Sequence, residues 1–144
     1  MEQLLIREAA RLSPEQKQAA QRLAKKFIPE VNTTEPCFAV LRRDRVVAAL
    51  FGCVEKNRVT QEAAFQIDAI VVVPELRRAK LASALVQKLE TSVFLQDMRK
   101  LHKFTKITGQ VIHEGSMKLM ANLGYTIKQE NPTVCPTCSK SIAV

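Results

Sequence analysis

Residues 71–85 read V-V-V-P-E-L-R-R-A-K-L-A-S-A-L, an apolar strand that passes through a proline into a helix. The residues from Ile67 to Val73 are apolar with one exception, and this pattern predicts a central strand covered on both faces. Asp68 is the single charged residue in that run. Pro74 ends the strand, and the helix that follows places four apolar residues on one stripe: Leu81, Leu85, Leu89 and Val93.

Three cations, Arg77, Arg78 and Lys80, open this helix. Cations at a helix N-terminus oppose the helix dipole at a cost of ~0.3–1 kcal/mol each, and a bound anion would remove that conflict. The unpaired N–H groups of the first turn and the basic side chains together predict a cradle for a pyrophosphate. A solvated basic turn without a ligand explains the same residues equally well.

Other segments give a layered α/β pattern. Ser13-Pro14-Glu15-Gln16 has the form of a capping box, and it predicts a helix that ends before Pro29. The helix after Pro74 extends to Phe94, and a third helix covers Glu114 to Leu123. Strands are predicted over Gln3 to Glu8, Cys37 to Leu41, Val46 to Val54, Ala63 to Val73, Lys103 to Ile112 and Tyr125 to Lys128. This order predicts an α/β (α+β) domain with a mixed sheet.

Composition limits the class of protein. The chain has 144 residues, 47% of them apolar, which suits a single domain over residues 1–128. It contains neither a signal peptide nor an apolar run of about 20 residues, so we expect a cytoplasmic protein without membrane association. The net charge of +8 is uneven: residues 1–76 hold 11 basic against 10 acidic residues, whereas residues 77–128 hold 10 against 3. The second half therefore favours an anionic partner.

The helix-opening stretch resembles the central motif of the GNAT acyltransferase superfamily, a strand and a proline followed by Arg/Gln-x-x-Gly-x-Gly/Ala. Arg77, Lys80 and Ala82 stand at the motif positions. H-E-G-S-M-K-L-M-A-N-L-G-Y, residues 113–125, is similar to the second signature of that family, and I-R-E-A, residues 6–9, to its first strand. The resemblance implies a mostly antiparallel central sheet flanked by helices. It departs from the family where Lys80 replaces a glycine and where His113 replaces an asparagine.

The resemblance also implies a cofactor site for acetyl-CoA, used as co-substrate. The strand edge would offer backbone groups to the acyl and pantetheine arm, and the helix start would hold the pyrophosphate. The residues assigned to cofactor binding are Val71, Val72, Val73, Arg77, Arg78, Ala79, Lys80, Leu81, Ala82, Ser83 and His113.

Three residues are candidates for proton transfer. Asp68 is the first candidate for the base, because burial would raise its pKa, although a structural carboxylate paired with a cation explains it equally well. Glu62 is the second candidate. Tyr125 could donate a proton, but a core aromatic is the commoner role at its position. Met120 stands where the family often carries a tyrosine that protonates the leaving thiolate.

The segment from Gln129 to the C-terminus lacks periodicity, and we expect a flexible, reduced tail. It contains the CxxC pair Cys135 and Cys138. A lone pair supplies half of a zinc site, so no metal is assigned, and zinc shared between two chains is the alternative.

The leading function is therefore an N-acyltransferase that moves an acetyl group from acetyl-CoA to a primary amine, on a small molecule or on a protein. The alternative is an inactive domain of the same fold that binds acyl-CoA or a protein partner. A nucleic-acid-binding module is disfavoured, because the few aromatic residues of the basic half have the spacing of a core. The resemblance mildly favours a homodimer.

Overall fold

The computed structural model describes residues 4–29, 35–77, 80–110, 114–129 and 136–142, with the backbone alone for 114–117. Within these ranges the strands are β1 (Leu4–Glu8), β2 (Phe38–Arg42), β3 (Arg45–Lys56), β4 (Ala63–Val72), β5 (Lys106–Gln110), β6 (Thr126–Lys128) and β7 (Thr137–Ser141). The helices are α1 (Pro14–Phe27), α2 (Leu81–Thr91), α3 (Val93–His102) and α4 (Glu114–Asn122).

The seven strands form one sheet in the order β1-β2-β3-β4-β5-β7-β6. β4 and β5 run parallel, whereas the pairs β1–β2, β2–β3, β5–β7 and β6–β7 are antiparallel. The prediction of a mixed, mostly antiparallel sheet with helices is confirmed.

The chain divides into two compact units, which are described separately. The first comprises Met1–Gly52 and Asp68–Ser92, and the second comprises Cys53–Ile67 and Val93–Val144. β3 and β4 each contribute residues to both units. The boundary predicted at residue 128 stays a prediction.

In the first unit, α1 begins with the predicted capping box. The Ser13 hydroxyl accepts from the Gln16 N–H at 3.1 Å, and the Gln16 side chain accepts from the Ser13 N–H at 2.9 Å. The helix buries Ala20 and Ala24, small residues that let its backbone approach the strands closely. They join one apolar cluster with Ala39, Leu41, Ala49, Phe51, Ala69 and Val71 of β2, β3 and β4.

The side chains on the opposite face of β2 and β3 are also buried. Phe38 and Val40 of β2 and Ala48 and Leu50 of β3 are at most 1% exposed. α2 packs against β2, and we infer that it covers this second face with its buried residues Leu81, Leu85, Val86 and Leu89. Two covered faces explain the near-absence of polar residues from β2 and β3 of this unit.

In the second unit, an aromatic group forms the core. The Phe65 ring centroid lies 6.1 Å from those of both Phe94 and Phe104. Phe65, Phe104, Leu95 and Ile107 are fully buried, whereas Phe94 is half-buried. Phe104 thus belongs to the core, as its spacing indicated, and Phe94 packs against the core through its contact with Phe65.

Three expectations are corrected. In β4 the side chains of Ile67, Ala69 and Val71 are buried, but the alternate residues, Asp68 among them, are only half-buried, so one face is less covered than predicted.

The second correction concerns the long helix. It is interrupted at Ser92, whose extended backbone (ψ 150°) separates α2 from α3, and Val93 is 74% exposed instead of lying on the buried stripe.

The third correction concerns the tail. Residues 137–141, expected to be flexible, form β7, which pairs with both β5 and β6. Short polar strands give little periodic signal, so partners far away in sequence decide this element. None of the helices in the described ranges has the length and apolarity required to cross a bilayer.

Candidate functional site

The end of β4 has its backbone groups divided between two edges of the strand. The Val73 N–H donates to the Val47 carbonyl of β3 at 2.9 Å. The N–H and carbonyl of one strand residue point to the same edge, and those of the next residue point to the other. The Val72 N–H and carbonyl therefore point away from β3. The described pairs between β4 and β5 involve Phe65 to Ile67 of β4. β4 extends beyond these pairs to Val72.

Arg77 follows the strand after a 3-10 turn over Pro74–Leu76. Its Nε donates to the Val72 carbonyl at 3.2 Å, and its guanidinium carbon lies 4.8 Å from the centroid of the Phe27 ring. The side chain is exposed, and these two contacts do not use the remaining guanidinium N–H groups. The strand end and the end of α1 thus hold this cation in place.

Lys80 occupies the N-cap position of α2 in the left-handed conformation, with φ 59° and ψ 30°. Non-glycine residues adopt this conformation at a cost of roughly 1–2 kcal/mol, which explains why a glycine suits the position. Its side chain makes no capping hydrogen bond, and the first turn carries no acidic residue. The N–H groups of Leu81, Ala82 and Ser83 are therefore directed at the helix entrance without a side-chain cap.

Asp68 is half-buried on the less covered face of β4. It also acts on Cys37, which lies at the start of β2. Burial chiefly raises the pKa of the Cys37 thiol to about 11, a hydrogen bond with the backbone of Gly52 opposes this, and the negative charge of Asp68 adds to it. The negative charge of Asp68 thus disfavours ionisation of the Cys37 thiol.

The other two candidates for proton transfer belong to the second unit. Glu62 is exposed in the turn between β3 and β4, where its carbonyl accepts from the Asn57 N–H at 2.8 Å. Tyr125 is 4% exposed, and the Lys140 ammonium lies 5.5 Å from its ring centroid. Met120, also 4% exposed, carries no proton to give to a leaving thiolate. Arg78, Ala79, His113 and Cys135 lie outside the described residues.

The sequence profile of the acetyltransferase (GNAT) family matches residues 3–125. The chain belongs to the GNAT family. The match covers all three segments from which the resemblance was inferred, and it confirms that inference. A search of curated proteins gives no match.

Solved structures of GNAT proteins have the same fold. An aminoglycoside 6'-N-acetyltransferase complexed with coenzyme A superposes with a TM-score of 0.70 at 17% identity, covering 97% of this chain and 98% of that one. The Drosophila melanogaster polyamine N-acetyltransferase gives 0.68 at 13% identity, covering 96% and 100%. Ard1 from Thermoplasma volcanium gives 0.64 at 15% identity, covering 98% and 99%.

Two residues of the GNAT helix-entrance region escaped the sequence analysis. Phe27 supports Arg77 from 50 positions earlier in the chain, and Val47 fixes the orientation of the β4 end. The GNAT motif gave no signal for either residue, because both contacts are made by segments that only folding brings together. An aromatic residue at the last position of an amphipathic helix is ordinarily taken for core.

Cys138 is buried in β7, and its Sγ lies 3.4 Å from the position that a Cβ on Gly109 would take. Burial raises the pKa of its thiol. A buried protonated thiol is a poor zinc ligand and a poor nucleophile. In the described part of the chain, no group of three or more His, Cys, Asp or Glu side chains could hold a metal ion.

Proposed function

We propose that this GNAT protein transfers an acetyl group from acetyl-CoA to a primary amine. The observation that carries the proposal is the entrance of α2. There an exposed arginine, held on Phe27 and on the Val72 carbonyl, lies beside a helix start without a side-chain cap or an acidic residue. A pyrophosphate supplies the negative charge that such an entrance favours.

The residues of the first unit fit the cofactor in two places. Arg77 and Lys80, with the N–H groups of Leu81, Ala82 and Ser83, would hold the pyrophosphate. The Val72 N–H and the backbone of Val71, at the β4 edge away from β3, would hold the pantetheine arm and polarise the acyl carbonyl. When bound, the cofactor supplies an activated thioester.

Asp68 is the proposed base. The attacking amine must be neutral, so a proton has to leave it before or during the formation of the new N–C bond. A half-buried carboxylate can accept that proton directly or through one water molecule. With methionine at position 120, we propose that the leaving thiolate takes its proton from solvent.

The alternative is a GNAT domain that binds acyl-CoA without turning it over. It is favoured by the left-handed Lys80 at a glycine position and by the buried Met120. Both proposals require the cofactor site, so binding and turnover separate them. Cytoplasmic location and a homodimer are likewise carried forward as proposals.

The test combines calorimetric titration with acetyl-CoA and a thiol-release assay over a panel of small amines and peptide amines. We expect saturable binding and an amine-dependent release of free thiol. Asp68→Asn should lower kcat by about 10²- to 10⁴-fold and leave the Kd of acetyl-CoA unchanged, as expected for loss of a general base.

The outcome of these two assays decides between the active enzyme and the non-catalytic domain. Binding without thiol release from any amine would support the non-catalytic alternative. An Asp68→Asn variant with unchanged kcat would remove Asp68 from the reaction and move the test to Glu62. Absence of saturable binding would overturn both proposals.

A further inference from the structure

A groove of about 810 Å³ lies within the second unit. One wall is the turn between β3 and β4, and the other is the connection from α3 to β5. Its lining includes Lys56, Glu62, Leu101, Lys103 and Lys106. The proposed acetyl transfer uses none of these residues except Glu62, the second candidate for the base.

Three lysines give the groove an excess of positive charge. Lys56, Lys103 and Lys106 face one negative charge, that of Glu62. Within the described ranges, no ion pair of Lys56, Lys103 or Lys106 is found. Unpaired like charges lining a concave surface repel one another and attract an anionic ligand.

The helix dipole explains only part of this charge. Basic residues in the last turn of α3, such as Lys100 and His102, stabilise the C-terminus of that helix. Lys56 ends β3, and Lys106 begins β5, so neither owes its position to the helix. These two lysines make the groove basic on the side of the strands as well.

Both walls are held by local hydrogen bonds. The Asn57 carboxamide oxygen accepts from the N–H groups of Val59 and Thr60 at 2.8 and 3.1 Å. On the other wall, the Lys103 N–H donates to the Arg99 carbonyl at 2.7 Å, and Lys103 adopts a left-handed conformation with φ 58°. A groove with fixed walls loses little conformational entropy when it binds a ligand.

The groove also contains an apolar contact point. Leu101 is 73% exposed, although it lies among charged side chains. A single exposed leucine is ordinary on a protein surface, but one among unpaired lysines can receive an apolar side chain of a charged ligand.

We propose that this groove binds an acidic peptide segment that carries an aliphatic side chain. The carboxylates of the segment pair with Lys56, Lys103 and Lys106, and the aliphatic side chain packs on Leu101. A nucleic acid fits less well, because the lining includes no Phe, Tyr or Trp ring on which a base could stack.

The test uses the full chain without cofactor and a fluorescein-labelled peptide Glu-Glu-Leu-Glu-Glu, followed by fluorescence anisotropy. We expect saturable binding that weakens about tenfold in the double variant Lys56→Gln/Lys106→Gln and several-fold in Leu101→Ser. Lys25→Gln, an exposed lysine of α1, is the matched control and should bind as the wild type does. Thermal unfolding verifies that each variant is folded.

Two further probes complete the design. The peptide Gln-Gln-Leu-Gln-Gln should not bind, and a five-residue oligothymidylate should bind more weakly than the acidic peptide. Equal affinity of the double variant and the wild type, absence of saturable binding, or tighter binding of the oligonucleotide would overturn the proposal. Because neither acetyl-CoA nor turnover enters the measurement, its failure is distinguishable from failure of the proposed acetyl transfer.

Discussion

The Arg77 guanidinium lies 4.8 Å from the centroid of the Phe27 ring, where the last residue of α1 meets the segment that leads into α2. The arginine also donates from Nε to the Val72 carbonyl. An arginine held in this way loses less side-chain entropy when it binds an anion than a freely rotating one. The aromatic ring therefore prepares the proposed pyrophosphate site without touching the ligand.

Replacement of the ring tests this relationship. Phe27→Leu should weaken the binding of CoA by about two- to fivefold, because an exposed cation–π contact contributes about 0.5–1 kcal/mol. Arg77→Ala should weaken it by about tenfold or more, since it also removes charged hydrogen bonds to the phosphates. Calorimetric titration gives both values. Arg22→Ala, an exposed arginine of α1, is the control, and an unchanged affinity in Arg77→Ala would contradict the assignment.

The left-handed backbone of Lys80 leads to a prediction about the stability of two variants at this position. Lys80→Gly and Lys80→Ala both remove the charge, and they differ in the Cβ that is unfavourable at φ 59°. The glycine variant should therefore be the more stable by about 1 kcal/mol, despite the greater entropy of glycine in the unfolded chain. Urea unfolding compares the two. An alanine variant as stable as the glycine variant would mean that the backbone at this position is not left-handed.

The capping box at the start of α1 makes a second prediction about stability. Ser13→Ala should lower the free energy of unfolding by about 1 kcal/mol, because the Gln16 N–H then loses its acceptor. Ser13→Asp keeps an acceptor at the cap and should leave the stability near that of the wild type. Chemical denaturation measures both, and an equal loss in the two variants would exclude capping as the cause.

The raised pKa of the Cys37 thiol leads us to expect a loss of stability at alkaline pH. Its pKa is raised from 9.0 to about 11 in the folded protein, chiefly by burial. The folded state thus holds this proton more tightly than the unfolded state, so the stabilisation is complete below about pH 9 and declines as the pH approaches 11. Over that interval the wild type should lose about 2 kcal/mol more than Cys37→Ala.

Urea unfolding of both proteins at several pH values measures that difference. Other groups that titrate above pH 9 contribute equally to the wild type and the variant, so they cancel. Parallel pH profiles would show that Cys37 ionises as readily in the folded protein as in the unfolded one.

Much of the architecture could be predicted because the interactions concerned are local. The capping box spans three residues, the stripe of α2 repeats every three to four, and the strand before Pro74 ends where proline removes a donor. The GNAT motif lies in one continuous stretch as well, and it places Lys80 and Ala82 at the start of α2. Sequence alone thus determined the fold family, and the phosphate site at this helix start stays a proposal.

Tertiary structure decided what depends on distant partners. The Val73 N–H is taken by Val47, Arg77 rests on Phe27, and the polar segment 137–141 becomes β7 because β5 and β6 offer it two free edges. The groove with its three lysines likewise exists only when β3, α3 and β5 have folded. Periodicity records how a residue relates to its neighbours within one or two turns, whereas backbone groups pair with whichever strand edge the fold brings beside them.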